Sequence, residues 1–294
     1  MTARKHAGIV LVIALGVVAV GREASAQQPN VRGELSRTLE SSNLSPESKA
    51  RLGSKAGELV GAGVTERDVA DVIRQGTGRG VQTPELIRLL DVVAEAKRRG
   101  LPPGPVVDKI KEGLAKRVSP ERIASVASRI TGDLAGARDV VRRAEQAGVR
   151  VEAPGDRERA VEAVADVIGR GVPPNEVEEL ARRLGRSSSR GATMSRLEAS
   201  AQVTADLVSM GLSPRAASET VGAALAGGMN QRDIERLRER LAQELRRGES
   251  PEDGAKRLRE QIHSERPETR GDHGGPDRQG KGRDGIGDGK PGRR

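Results

Sequence analysis

GLPPGPVVDKIKEGLAKRVSPERI, residues 100–123, carries the same punctuation at both ends. Gly100-Leu101-Pro102-Pro103 opens the stretch, and Arg117-Val118-Ser119-Pro120 follows seventeen residues later. Between them Val106, Val107, Ile110 and Leu114 recur at the spacing that lines one face of an α-helix. Each mark reads as a helix stop joined to a helix start. A glycine takes the left-handed backbone that closes one helix, and a hydrophobic residue then turns inward. Ser, Thr or Asn caps the next helix, and proline occupies its first position, where no amide hydrogen is needed. Ser45-Pro46-Glu47, Thr83-Pro84-Glu85, Ser119-Pro120-Glu121 and Ser250-Pro251-Glu252 add an acid in the first turn, where the helix dipole favours it.

The marks have a rhythm. They fall at Asn43, Gly63, Gly80, Gly100 and Arg117, at intervals of 20, 17, 20 and 17. They resume at Gly171, Gly191, Gly211, Gly228 and Gly248, at intervals of 20, 20, 17 and 20. Gly191 is the weakest, because Ala192 and Thr193 replace the usual hydrophobic-cap pair. Two helices per unit give a period of about 37 residues, the range of helical-hairpin repeats. Further stripes at Val177, Leu180, Ala181, Leu184 and at Ile234, Leu237, Leu241, Leu245 support helices, and strand-like alternation is absent. Leu86, Ile87, Leu89, Leu90, Val92 and Val93 cover more of the circumference, which places that helix centrally. The expected fold is therefore all-α: short helical hairpins in a solenoid-like row or irregular bundle. Residues 43–117 form a first array, 118–170 an irregular region of longer helices, and 171–262 a second array. Residues 27–42 are expected to be a flexible start holding a marginal helix around Leu35 and Leu39. The Gly/Arg/Asp-rich segment 263–294 cannot bury enough surface to order itself and is expected to be disordered.

Composition bounds the function. Arg4 and Lys5 precede an apolar run from Ala7 to Val20, and Ala24-Ser25-Ala26 presents small residues at the two positions a signal peptidase reads, Ala24 and Ala26. Residues 1–26 are thus expected to be an export signal cleaved after Ala26, with an uncleaved membrane anchor as the alternative. The protein is then expected in the periplasm or outside the cell. No cysteine occurs, so neither disulfide staples nor thiolate metal sites are available. No Phe, Tyr or Trp occurs either, and the core must be built from Leu, Val, Ile and Ala. The tetratricopeptide pattern has a comparable repeat length but requires those aromatics, so its peptide groove is not inferred. Beyond residue 26 the chain holds 48 cations against 41 anions. From Glu249 onward the two nearly balance, so the excess lies on the folded body and biases it towards anionic partners.

Catalytic parts are few. Histidine occurs at His6, His263 and His273, leaving the body without a Ser-His-acid arrangement. Carboxylate chemistry rests on the cluster Glu176, Glu178 and Glu179, although sugar sites usually offer aromatic rings to stack on. The segment Gly76–Gly80, GTGRG, lacks the lysine and hydroxyl of a phosphate loop and reads as a helix terminus, with Thr83 as a cap. Arg270-Gly271-Asp272 is expected from the tail's composition alone. Arg98-Arg99, Arg182-Arg183 and Arg246-Arg247 read as cations in the last turns of helices.

These readings point to an exported, non-catalytic helical repeat protein acting as an interaction or structural scaffold in the cell envelope, without a cofactor. Its expected partner is another envelope or extracellular protein. Electrostatic binding of an anionic polymer or membrane surface is the first alternative, and a carboxylate-only cell-wall hydrolase the second. Without stacking platforms, sequence-specific nucleic-acid recognition is not expected.

Overall fold

The computed structural model describes residues 32–187 and 191–264, and these are all-helical. The expected signal segment with Ala24 and Ala26, residues 27–31, Arg270-Gly271-Asp272, His273 and the rest of 265–294 lie outside the described residues. Among the described residues thirteen helices follow in order: α1 (Arg32–Ser41), α2 (Pro46–Gly61), α3 (Glu66–Gly78), α4 (Thr83–Arg98), α5 (Gly104–Ala115), α6 (Pro120–Gln146), α7 (Asp156–Gly169), α8 (Pro174–Ser187), α9 (Met194–Ser209), α10 (Pro214–Ala226), α11 (Gln231–Glu235), α12 (Leu237–Arg246) and α13 (Pro251–Ser264). α11 and α12 are one apolar stripe interrupted at Arg236, with Ile234, Leu237 and Leu241 all fully buried.

Nine helix ends share one hydrogen-bond pattern. At Gly63 the amide donates to Val60 O and the Val64 amide donates to Leu59 O; the same pair of bonds recurs at Gly80, Gly100, Arg117, Gly148, Gly171, Gly211, Gly228 and Gly248. All nine residues have positive φ, Arg117 alone without being glycine. The residue after each mark is apolar except Glu249, and Val64, Leu101, Val149, Val172 and Leu212 are buried, which anchors the turn in the core. Asn43 does not adopt the left-handed conformation expected of it.

The starts are capped less uniformly. Ser45, Thr65, Thr193, Ser213, Asn230 and Ser250 each accept a backbone amide from the first turn of the following helix. Ser119 has the right backbone but makes no such bond. Thr83 was expected to cap α4 and instead begins it: Gln82 is the N-cap, and its amide donates to Glu85 Oε2 at 3.1 Å. Thr83 is buried one position further in.

Helices of 10–16 residues are marginal alone in water and persist by leaning on neighbours. The chain places alternate helices in two rows. In one row α2, α4, α6, α8, α10 and α13 pack in succession; in the other, α1 packs on α3, α3 on α5, α7 on α9, and α9 on α11 and α12. One aliphatic core runs through the stack from Leu52 to Ile262. Residues 32–41 form α1, the helix expected around Leu35 and Leu39, with both side chains against that core. The four α4 side chains Leu86, Leu89, Leu90 and Val93 are fully buried, as its broad apolar girth implies. Buried hydroxyls do not interrupt the core, because Thr131, Ser200, Thr204 and Thr220 each donate to the carbonyl four residues back.

Segment 118–170 differs from its flanks through α6. At 27 residues it spans about 40 Å and packs against α4, α5, α7 and α8 at once. α7, by contrast, has the ordinary length of 14 residues. Segment 118–170 thus holds one long helix, α6, and one of ordinary length, α7.

Candidate functional site

Many charged side chains pair within their own helix, and a smaller set holds unit to unit. Lys55 Nζ reaches Asp91 at 2.7 Å, Lys111 reaches Asp68 at 3.2 Å, Arg143 reaches Glu178 at 2.6 Å and Arg170 reaches Asp206 at 2.6 Å. Other cations donate to helix-end carbonyls of a neighbouring unit, Arg79 to Ala115 O at 3.2 Å and Arg138 to Arg99 O at 2.6 Å, and Arg196 donates to Met229 O in the α10–α11 connection. A helix C-terminus leaves such oxygens without intrahelical donors, so each bond satisfies an orphan acceptor and ties two hairpins. Two buried carboxylates act in the opposite sense. Glu66 accepts the Leu35 amide at 2.9 Å, and Asp156 accepts the amides of Glu152 and Ala153 in the α6–α7 loop.

The sequence-derived candidates join this lattice. Glu176 accepts from the Ser218 hydroxyl, Glu178 pairs with Arg143, and Glu179 is held by Arg183 at 2.8 Å and Arg182 at 3.0 Å. The Arg183 bond draws the Glu179 carboxyl below its usual range, with Arg182 and Arg186 adding to it. A carboxylate so held is an ion-pair anchor and a poor proton donor. Arg182 and Arg183 thereby serve Glu179 and do not lie in the last turn, which holds Arg186. Arg98 and Arg246 do lie in last turns, while Arg99 and Arg247 follow as C-caps. GTGRG ends α3 as a helix terminus, its Arg79 spent on Ala115. His263 sits in α13, its Nδ1 3.2 Å from Arg259 O. Among the described residues no group of three His, Cys, Asp or Glu could hold a metal.

A different place stands out, and sequence reasoning did not find it. Every other neighbouring pair in the two rows packs closely, but α5 and α7 do not; α6 lies beneath both and fills the space between. Two pockets open along this seam. One, of about 410 Å³, is lined by the Leu101–Pro103 turn, Lys97, Arg138, Arg157, Glu158 and Val161. The other, of about 310 Å³, lies between Pro105 and Lys109 of α5 and Glu162, Ala165 and Asp166 of α7. Its floor is Val126, Arg129, Ile130 and Asp133 of α6.

Asp133 and Glu162 are half-buried here, and neither is joined to an ion pair or hydrogen bond within the described residues. Burial pushes both carboxyls above the usual range; Arg129 opposes this at Asp133, while Glu158 and Asp108 reinforce it at Glu162. They contrast with Glu66 and Asp156, which are deeper yet satisfied. The seam could not be read from the sequence because the α5 mark looks like every other. Only the length of α6 hints that the rhythm slips there.

No protein-family model matches the chain, and no match is found among curated proteins or among solved structures.

Proposed function

We propose that the protein is an exported, non-catalytic helical repeat protein that serves as an interaction or structural scaffold in the cell envelope. The observation that carries this reading is how the stack uses its charges. Ion pairs and arginine–carbonyl bonds lock successive hairpins into one ridge, and among the described residues the single large apolar side chain left exposed is Val151, at 41%. A partner then meets arginine, glutamate and aliphatic stems along the ridge, with no aromatic anchors to concentrate the affinity. The test is crosslinking in the native envelope with the ridge arginines as reporters. A discrete set of crosslinked envelope proteins, lost on charge reversal at exposed Arg142 and Arg122, supports the scaffold; a protein that crosslinks only to itself or to nothing removes it. Intact mass of the secreted form checks export, and a mature chain beginning elsewhere than Gln27 corrects the cleavage after Ala26.

One observation favours the electrostatic alternative: three of the charged residues around the larger seam pocket, Lys97, Arg138 and Arg157, are cations against the single acid Glu158. If an anionic surface is the target, retention on anionic vesicles falls steeply with added salt. Salt-insensitive or absent retention eliminates that reading.

A further inference from the structure

We propose that the seam between α5 and α7 is an electrostatic hinge, in which the half-buried, unpaired carboxylate of Glu162 on α7, with Glu158 beside it and Asp108 on α5, sets how far the two halves of the stack splay, and its neutralisation draws the halves together. The inference concerns the motion of the chain and stands apart from the identity of any partner.

Geometry places the hinge. Everywhere else a bend is resisted in both rows by direct helix packing, but here one row is interrupted and α6 alone carries the load. The two pockets are the room a closing movement would use. Glu162 also lies against α5 itself: its Oε1 is 3.9 Å from where a β-carbon on Gly104 would stand.

The charges facing Glu162 come from each neighbouring element. α5 contributes Asp108, which is paired with Lys111 at 2.9 Å and so acts on Glu162 as a partly compensated charge, and Lys109, which is paired with Glu112 at 2.6 Å. α6 contributes Arg129 and Asp133. On α7 itself Glu158 and Asp166 flank it, and Arg170 at the end of α7 lines the same pocket, paired with Asp206 at 2.6 Å and Asp166 at 3.9 Å. On α9 the half-buried Glu198 senses Arg159 and Asp156. The amino end of α5 favours a charged Glu162, whereas burial, Glu158 and Asp108 oppose it. The opposing influences prevail, so the proton binds more tightly where Glu162 is covered than where it is hydrated. By linkage, acidification must favour the covered, narrower seam, and deprotonation must favour the wider one.

The chain has no cysteine, so paired spin labels can be placed at will. Arg67→Cys on α3 and Arg232→Cys on α11 put exposed labels on opposite sides of the seam. In the full mature chain, pulsed dipolar distance measurement in steps from pH 7.5 down to pH 4 should show the distribution moving to shorter values and narrowing in acid. Glu162→Gln should hold the short distribution at every pH, and the exposed substitution Glu158→Gln should shift the midpoint of the change downward. Circular dichroism confirms that each variant is folded. A distribution that ignores pH overturns the hinge. So does an acid shift that survives undiminished in Glu162→Gln, because the responding group is then elsewhere.

Discussion

Arg117 holds a left-handed backbone, φ 57°, at a position where eight other helix ends with the same bonds use glycine. A β-carbon in that conformation costs about 1–2 kcal/mol. Arg117→Gly should therefore raise unfolding stability by about 1 kcal/mol, measured by urea denaturation, part of the gain being offset by the freer unfolded chain. A neighbouring residue gives a pH-dependent counterpart. Glu112 accepts hydrogen bonds from Lys109 and Lys116, which lower its pKa to about 2. Because the folded value lies below the unfolded one, this contribution is present above pH 4.5 and is lost as pH falls towards 2. Carboxyl NMR titration should find a Glu112 midpoint near 2, returning towards 4.5 in Lys109→Ala/Lys116→Ala.

At the scale of the helix, close approach decides what substitution is tolerated. A β-carbon on Gly185 of α8 would collide with the carbonyl oxygen of Ala147, a backbone atom fixed by the end of α6. One on Gly222 of α10 would meet the Cδ and guanidinium of Arg183, a flexible side chain that can shift only by loosening its bond to Glu179. Gly185→Ala should cost about 1–3 kcal/mol, whereas Gly222→Ala should stay within about 1 kcal/mol of wild type, since helix propensity offsets the crowding. Thermal unfolding of the pair separates the cases. The same scale shows what was legible in the sequence. The stops could be read because glycine followed by an apolar residue has one local solution, and the structure repeats it from Gly63 to Gly248. Thr83 misled because threonine before proline resembles a cap, while Gln82 one residue earlier supplied the bond with Glu85. Asn43 misled because asparagine tolerates the left-handed region without requiring it. The seam carboxylates Asp133 and Glu162 stayed hidden, since which helices fail to touch is a tertiary fact no local pattern records. The Glu176–Glu179 cluster was visible, but its arginine partners are supplied partly by another helix, as Arg143 is to Glu178.

Over the whole molecule, the long-range hydrogen bonds linking hairpins join residues 31–44 apart, from Leu35–Glu66 to Arg150–Met194, so contacts remain local to adjoining units. Stability should then be regional rather than global. Leu258→Ala, removing a fully buried side chain from α13, should loosen α10, α12 and α13 and leave α2–α4 protected; Leu86→Ala should do the reverse. Each costs about 2–5 kcal/mol. Hydrogen exchange read by mass spectrometry would reveal this, and a uniform rise across the chain would mean that the stack melts as one body. The arginine–carbonyl staples carry a further consequence. Because each clasp recognises a helix end and not a particular side chain, any hairpin that finishes in the same turn can receive it. A gene that duplicated or dropped one such unit would leave the remaining clasps with an acceptor, so growth or shrinkage by whole hairpins is the least disruptive change open to this architecture.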